Sequence, residues 1–316
     1  MKRTRLNFGS REQWLAARSE GIGASEVATI VGLNPYETPY QLWRKKVGLD
    51  APKPENTAMQ MGHILEDAVA QRWAEATGKN IIAKSKVDFM FVDADKPYLR
   101  VSPDRTFWLG DSRRDDDKGI LECKSTAKVI DPDNIPQYWF CQVQMNLGVA
   151  GYTKGSLAWI SAAKGFEFGY KDIDLVPDFF EWLKDETSRF WVDNIIGKKE
   201  PELTTAADVI LKYPQEKEGM VIEASQEVYA AAVRAHQCRQ ELKKIEEEET
   251  EAIELLKLAM GDAEKLTANG ETIATWRAAK PSAKFDAKRF CVEHPQVAEA
   301  YTSETPGSRR FLLKIS

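Results

Sequence analysis

Gly119-Ile-Leu-Glu-Cys-Lys-Ser125, read together with Ser102-Pro-Asp-Arg105, decides the fold. Ile120, Leu121 and Cys123 are apolar and bracket Glu122 and Lys124. A short apolar run entered at a glycine reads as a strand. The two-residue period then puts Glu122 and Lys124 on one face. Upstream, Tyr98 to Ser102 reads as another strand, stopped at Pro103, which cannot donate to a ladder. If the two strands pair, Asp104 arrives beside Glu122 with Lys124 one step on. Two carboxylates can hold a hard divalent cation through oxygen. Such an ion polarises a phosphate and lowers the pKa of a bound water, which the lysine can then orient or deprotonate. This is the constellation for metal-dependent phosphodiester hydrolysis. Glu-x-Lys alone also describes an ordinary solvated strand face; the Pro-Asp upstream is what makes the pattern informative.

Length and composition frame this pattern. A chain of 316 residues accommodates a nuclease-sized α/β core and a smaller appended region. No apolar run approaches the length of a membrane span, and Met-Lys-Arg-Thr-Arg-Leu at the start lacks an apolar signal core. Cys123, Cys141, Cys238 and Cys291 are scattered, with no Cys-x-x-Cys, which fits a reducing cytoplasm and gives no zinc site. His63, His236 and His294 are too few and too dispersed for a histidine metal cluster. The net charge of −5 does not announce a DNA binder. The charge is uneven, however. Arg3, Arg5, Arg11, Arg18, Arg44, Lys45 and Lys46 load the start, while Glu246 to Glu249 load a late helix. A basic face on an acidic chain can still bind phosphates.

Ser10-Arg-Glu-Gln13 reads as a capping box opening a short helix that carries Trp14, Leu15 and Ala17 and ends at Arg18. Ser19-Glu-Gly-Ile-Gly-Ala-Ser25 is a glycine-containing turn into a second helix, from about Ser25 to Val31. A serine at a helix mouth with an arginine nearby can form an anion site, through free N–H groups and a bidentate clamp. Equally, Ser25 reads as an ordinary N-cap and Arg18 as a surface residue. Pro39 sits at the first position of a third helix that carries Leu42, Trp43 and Val47. Ala51 to Glu55 is a loop. A longer helix spans about Thr57 to Thr77, with Met61, Leu65, Ala68, Val69, Trp73 and Ala76 on its buried side. Glu66 lies at the edge of that stripe, pointing into a cleft or along the surface.

Val87 to Val92 is a strand, and Thr106 to Leu109 begins a third, interrupted by the charged hairpin loop Gly110 to Gly119. Asp115, Asp116 and Asp117 in that loop resemble metal ligands in composition only, and are read as facing solvent. Ile135 to Gly148 is a helix packed through Tyr138, Cys141, Met145 and Leu147; Gln142 and Gln144 are its polar residues able to meet the active edge of the sheet. Leu157 to Ile160 and Phe166 to Lys171 are further strands, and Pro177 opens an aromatic-rich helix to about Ile196. From about Ala224, Val228, Ala232, Ala235, Leu242, Ile245, Ile253, Leu256 and Met260 follow a helical spacing. A helix of roughly 36 residues would be about 54 Å long. Asn269-Gly270 marks a hairpin, Phe285 to Val292 a helix, and Arg309 to Ile315 a closing strand. This last region reads as structural or oligomer-forming.

The order of these pieces resembles the YqaJ-like phage recombination exonucleases, the family of phage lambda exonuclease, within the PD-(D/E)xK nuclease fold. The matching stretches are Trp14-Leu-Ala-Ala-Arg18 with Gly23-Ala-Ser25, Gly62-His-Ile-Leu-Glu66, Ser102-Pro-Asp104, Leu121-Glu-Cys-Lys124 and Gln142-Val-Gln144, within roughly residues 10 to 160. The resemblance implies an α/β (α+β), restriction-endonuclease-like core with a central mixed sheet flanked by helices. That core would be an exonuclease domain over residues 1–215, with a long-helix and β-hairpin appendage over 216–316. It implies magnesium, with manganese able to substitute, held by Asp104, Glu122 and the backbone carbonyl of Cys123. Glu66 would support the metal directly or through water. Lys124 would activate the attacking water, and Gln142 would position the nucleophile or the lysine. Arg18 and Ser25 would bind the 5′-phosphate. It further implies a ring-shaped homotrimer that digests one strand of duplex DNA from the 5′ end. A phage single-strand annealing protein would be its partner, in the cytoplasm of a bacterial host or encoded by a prophage.

Three other readings use the same residues: a site-specific or structure-specific endonuclease of this fold, an RNA-processing enzyme, and a non-catalytic module that binds DNA ends or a recombinase. The last would be favoured by a missing acidic position, but Asp104, Glu122 and Lys124 are all present. The scattered cysteines count against an iron–sulfur exonuclease.

Overall fold

The chain begins with a strand that the sequence reading does not foresee, β1 (Arg3–Asn7). Helix α1 (Arg11–Ser19) follows, and its expected cap forms: Ser10 Oγ accepts the Gln13 N–H at 3.3 Å. The computed structural model describes residues 3–51, 56–82, 89–111, 113–114, 117–303, 307 and 309–315. The expected loop at 52–55, the start of the expected strand at Val87 and Asp88, and Asp115 and Asp116 lie outside them. β2 (Ile22–Gly23) enters a 3₁₀ turn (Ala24–Glu26) and then α2 (Val27–Ile30). α3 (Pro39–Lys46), capped by Thr38, and α4 (Thr57–Thr77), capped by Asn56, come next. β3 (Phe89–Asp93) and β4 (Leu99–Val101) complete a sheet of order β1-β3-β4-β2.

A second four-stranded sheet carries the site. It comprises β5 (Arg105–Trp108), β6 (Lys118–Thr126), β7 (Lys154–Ser161) and β8 (Glu167–Asp174), in that order. β6 and β7 run parallel, joined through α5 (Gln137–Ala150), while β5 and β8 pair antiparallel at the two edges. The mixed sheet and flanking helices match the expected α+β class, although the strands divide between two sheets. α6 (Pro177–Arg189) continues as a wider π-helical segment, Phe190–Ile196, and α7 (Ala206–Lys212) follows.

The two-residue period of β6 sorts its side chains onto two faces. Leu121 and Cys123 pack with Val69, Trp73, Phe107 and Ala158 beneath α4. Ile120 joins Leu157, Val143 and Leu147 beneath α5. Glu122 and Lys124 therefore face α5. Close approach of α5 and α6 depends on Gly148, where a Cβ would collide with the Phe180 ring. The buried stripe of α4 is shorter than expected. Val69, Ala70 and Trp73 are buried, but Met61, Ala68 and Ala76 are exposed.

Met1–Leu211 form one compact unit and Lys212–Ser316 another. The second contains α8 (Gln226–Met260), 35 residues long, the β9 (Lys265–Ala268) and β10 (Glu271–Thr275) hairpin, α9 (Ala287–Glu293) and α10 (Pro295–Ala300). Asn269 and Gly270 both take positive φ, 52° and 85°, the left-handed pair that a tight hairpin requires. The expected closing strand at Arg309 to Ile315 does not form. Its described residues join no ladder, and Phe311 and Leu312 stay exposed, since apolar alternation makes a strand only where an edge accepts it. Among the described residues, no helix is long and apolar enough to cross a membrane.

Candidate active site

Asp104 reaches Glu122 by a different strand from the one anticipated. β4, which covers Leu99–Val101, belongs to the other sheet. The partner of β6 is β5, which begins just after Pro103-Asp104 and pairs Arg105 with Leu121. Proline cannot extend the first ladder, so the chain crosses between sheets there and restarts at Arg105. The antiparallel register then brings Asp104 level with Glu122. Asp104 Oδ2 accepts the Cys123 N–H at 2.7 Å, which fixes the carboxylate at the sheet edge.

Glu122 is almost fully buried, at 1% exposure, and its carboxylate is held by three side chains. Lys124 Nζ donates to Oε1 at 2.7 Å, the Gln142 amide donates to the same oxygen, and Asn146 Nδ2 donates to Oε2 at 3.0 Å. Lys124 Nζ also donates to Gln142 Oε1 at 2.9 Å, so lysine, glutamate and glutamine form a closed triangle. Burial works to lower the Lys124 pKa, but the carboxylates of Glu122 and Asp104 outweigh it and hold the ammonium above its usual value. The Asp104 carboxyl is pushed well up, first by burial, then by the charges of Glu122 and Glu66; Lys124 and the Cys123 N–H oppose this only in part. The Cys123 thiol is pushed well up by burial and by the Asp104 and Glu122 charges. It stays protonated and is a poor metal ligand through sulfur.

Asn146 is a site residue that the sequence reading misses. It lies four residues after Gln142, so both project from the same face of α5. That i, i+4 spacing is the signal that could have found it. Its Oδ1 is buried without a hydrogen-bond partner among the described residues, and the charge-assisted bond to Glu122 sets the amide orientation. Gln144 is the reverse case. Its side chain is buried between Asp174, whose carbonyl accepts at 2.8 Å, and the Val176 N–H, which donates at 2.8 Å. It clamps the end of β8 and does not meet the active edge.

Glu66 is engaged by Arg105, which also donates to the Asp104 carbonyl at 2.5 Å and pairs with Asp67. Arg105 is 6% exposed and thus forms a buried cation between α4 and the Asp104 edge. Among the described residues, no group of three or more His, Cys, Asp or Glu side chains is gathered to hold a metal ion. The facing donors are Asp104 and Glu122. Two hard carboxylates suit magnesium, which is commonly held by one or two carboxylates together with water and substrate phosphate. The raised Asp104 pKa fits the same ion: a buried carboxylate set against other carboxylates is relieved by a proton or by a cation. Asp117, in the β5–β6 loop, is half-buried over Gly110 and is not fully solvent-facing as expected.

Arg18 and Ser25 are brought together. Arg18 Nη2 donates to Ser25 Oγ at 3.1 Å, and the guanidinium lies 5.1 Å from the centre of the Trp14 ring. The helix mouth expected there differs in form. Ser25 lies inside the 3₁₀ turn and is not its N-cap, and the Glu26 carboxylate accepts the Gly23 N–H at 2.8 Å. Glu26 is in turn paired with Lys46 at 2.8 Å. An acidic side chain already occupies the helix start that was expected to be open to an anion. Gly21 lets this loop lie flat on β4, because a Cβ there would collide with the Tyr98 carbonyl.

A YqaJ-like viral recombinase domain matches residues 13–153, which contain every one of these side chains. The chain is 30% identical over 324 residues to the protein YqaJ of Bacillus subtilis (strain 168), covering 96% of this chain and 94% of that protein. Among solved structures, an alkaline exonuclease from Laribacter hongkongensis aligns with a TM-score of 0.46 at 18% identity, over 59% of this chain and 93% of the other. A phage-related exonuclease from Haemophilus somnus 129PT aligns with a TM-score of 0.41 at 10% identity, over 56% and 96%.

Proposed function

This chain belongs to the YqaJ-like viral recombinase family, and on that footing we propose that it is a magnesium-dependent exonuclease. In this reading it resects one strand of duplex DNA in the 5′-to-3′ direction for recombination by single-strand annealing. The observation that carries the reading is the Lys124 ammonium held between Glu122 and Gln142 beside the half-buried Asp104 carboxyl. Magnesium, or manganese in its place, would be held by Asp104, Glu122 and the Cys123 carbonyl, with Glu66 behind Arg105 as an outer support. The ion would supply charge stabilisation at the phosphate and a more acidic bound water.

The chain's own residues divide the remaining work. Gln142 holds the Lys124 amine toward the position of the attacking water, and Asn146 holds the Glu122 carboxylate in one orientation. Lys124, an ammonium here, donates to and orients the attacking water. As that water's oxygen bonds to phosphorus the P–O3′ bond breaks, and the departing 3′-oxygen takes up the water's proton. Arg18, braced on Trp14, and Ser25 seat the terminal 5′-phosphate and give the enzyme direction. A homotrimeric ring around the duplex and an annealing protein as partner belong to the same proposal. The long α8, with Leu242 and Ile245 exposed, offers apolar surface to another copy or partner.

The test is digestion of a linear duplex with one 5′-phosphorylated and one 5′-hydroxyl end, with and without magnesium. Loss of one strand from the phosphorylated end, only with magnesium, is expected, while circular duplex DNA stays intact. Lys124→Ala should abolish cleavage and spare DNA binding. Cleavage of circular DNA would replace the reading with an endonuclease, and binding without digestion would replace it with a non-catalytic module.

A further inference from the structure

We propose that Tyr36, with Lys128 beside it, is a stacking platform for a nucleobase past the Lys124 end of the active site, an inference that rests on the nuclease reading above. Tyr36 is 65% exposed, yet it is held in place from several sides. Its N–H donates to Asn34 Oδ1 at 3.0 Å, and Asn34 Nδ2 donates to the buried Thr29 Oγ1 at 2.8 Å. The Asn34 N–H itself donates to the Ala28 carbonyl at 3.1 Å. The Tyr36 ring stands edge-on to Tyr138, with centroids 5.9 Å apart at 90°. Lys128 Nζ donates to the Tyr36 hydroxyl at 3.1 Å and lies 5.5 Å from its ring centre. Lys128 is anchored too: its N–H donates to Thr126 Oγ1 at 3.1 Å and its carbonyl accepts from Ser161 Oγ at 2.7 Å. An exposed aromatic ring fixed in this way presents a π face with little left to order on binding.

The location follows from the pairing of α5 with β6. Asn146 meets Glu122, and Gln142, one turn earlier, meets Glu122 and Lys124. Tyr138 is a further turn toward the start of α5, and Lys128 lies just past the end of β6, so both lie beyond Lys124 on the side of the site away from Asn146. One helical turn is about 5.4 Å, against about 3.4 Å per nucleotide along one strand. With the 5.9 Å from Tyr138 to Tyr36 added, Tyr36 stands about 11 Å from Gln142, or about three nucleotides along the strand. A ring paired with an exposed lysine matches the two halves of a nucleotide. The base stacks on the ring, and the ammonium takes the phosphate.

The probe is a 5′-phosphorylated duplex with 2-aminopurine at the first, second or third position, titrated in a Lys124→Ala background so that the DNA stays intact. Fluorescence should be quenched on binding at one of these positions. Tyr36→Phe in that background should keep the quench. Tyr36→Leu should lose it and weaken binding on the order of 5- to 100-fold. Lys128→Ala should lower the slope of log affinity against log salt by about one. In the enzyme with Lys124 intact, Tyr36→Leu should change KM more than kcat. A quench that survives Tyr36→Leu, or unchanged affinity, overturns the platform while leaving the nuclease reading standing. If the natural chain leaves linear duplex DNA undigested, the nuclease reading itself fails and the platform falls with it.

Discussion

Asn146→Asp asks whether the buried face of α5 holds Glu122 as an anion. Asn146 is fully buried, and its Nδ2 donates to Glu122 Oε2 at 3.0 Å. Aspartate keeps the size and replaces the donor with a carboxylate. Two like charges 3.0 Å apart repel by about 5 kcal/mol at an effective dielectric of about 20. That corresponds to about four pH units. Whichever of the pair takes up the proton, its folded pKa rises far above an unfolded value of about 4. The sign follows: the variant matches the natural chain at low pH. It loses stability as pH rises from the unfolded pKa toward the raised folded pKa, and levels off above it. In a unit of this size each kcal/mol is worth about 2–4 °C in Tm, so the deficit at the plateau reaches about 10–20 °C. The assay is thermal unfolding of both proteins in matched buffers from about pH 4 to about pH 9. Magnesium should narrow the gap, since a cation at Asp104 and Glu122 offsets the added charge. A Tm difference that does not vary with pH would refute the reasoning and reduce Asn146 to a packing residue.

The raised Asp104 carboxyl makes magnesium affinity pH-dependent: the ion competes with the Asp104 proton, so calorimetric affinity should go on rising with pH above the usual carboxylate range, with proton release. A flat profile would remove Asp104 from the ligand set. Arg18→Ala should reduce the preference for 5′-phosphorylated over 5′-hydroxyl ends by about 10- to 100-fold, the range of one charge-assisted bond to phosphate; equal loss on both ends would argue against the pocket. Asp208 accepts from Thr38 Oγ1 at 2.7 Å, Gln41 Nε2 at 3.1 Å and the Thr204 and Thr205 N–H groups at 3.1 Å. Burial acts to raise its pKa, but these donors together outweigh that and lower it, so its contribution to stability is present above the unfolded pKa and lost as pH falls through the folded one. Asp208→Asn should cost about 3 kcal/mol near neutral pH, or about 6–12 °C in Tm, and much less in acid; a cost independent of pH would show that the charge is not what holds the network.

Alternation and punctuation were enough to read β6 from Gly119 to Ser125, because a period of two and an entering glycine are local properties of the chain. The same locality explains the success at Ser10, Thr38 and Asn269-Gly270, where a cap or turn depends on a few neighbouring residues. Gln142 drew its role from the family resemblance, while Asn146, one turn on, lay outside the matching motifs and passed unnoticed. A buried asparagine differs from a surface one only through the partner it meets, and Glu122 is 24 residues away along the chain.

The sequence by itself thus determined the strand that carries Glu122 and Lys124, the helices with clear caps, the hairpin, and the family resemblance carried by the spaced motifs. Tertiary structure alone decided which strand delivers Asp104, since β4 and β5 both flank Pro103 and only sheet pairing chooses between them. It also turned Gln144 into a clamp on β8, placed Arg105 between Glu66 and Asp104, and put Glu26 at the helix start once expected to be open. At Arg309 to Ile315 an apolar alternation found no edge to join. The physical reason is common to all of these. Propensity and period act between neighbours in sequence, whereas pairing, burial and the field around a carboxylate are set by residues that only folding brings together.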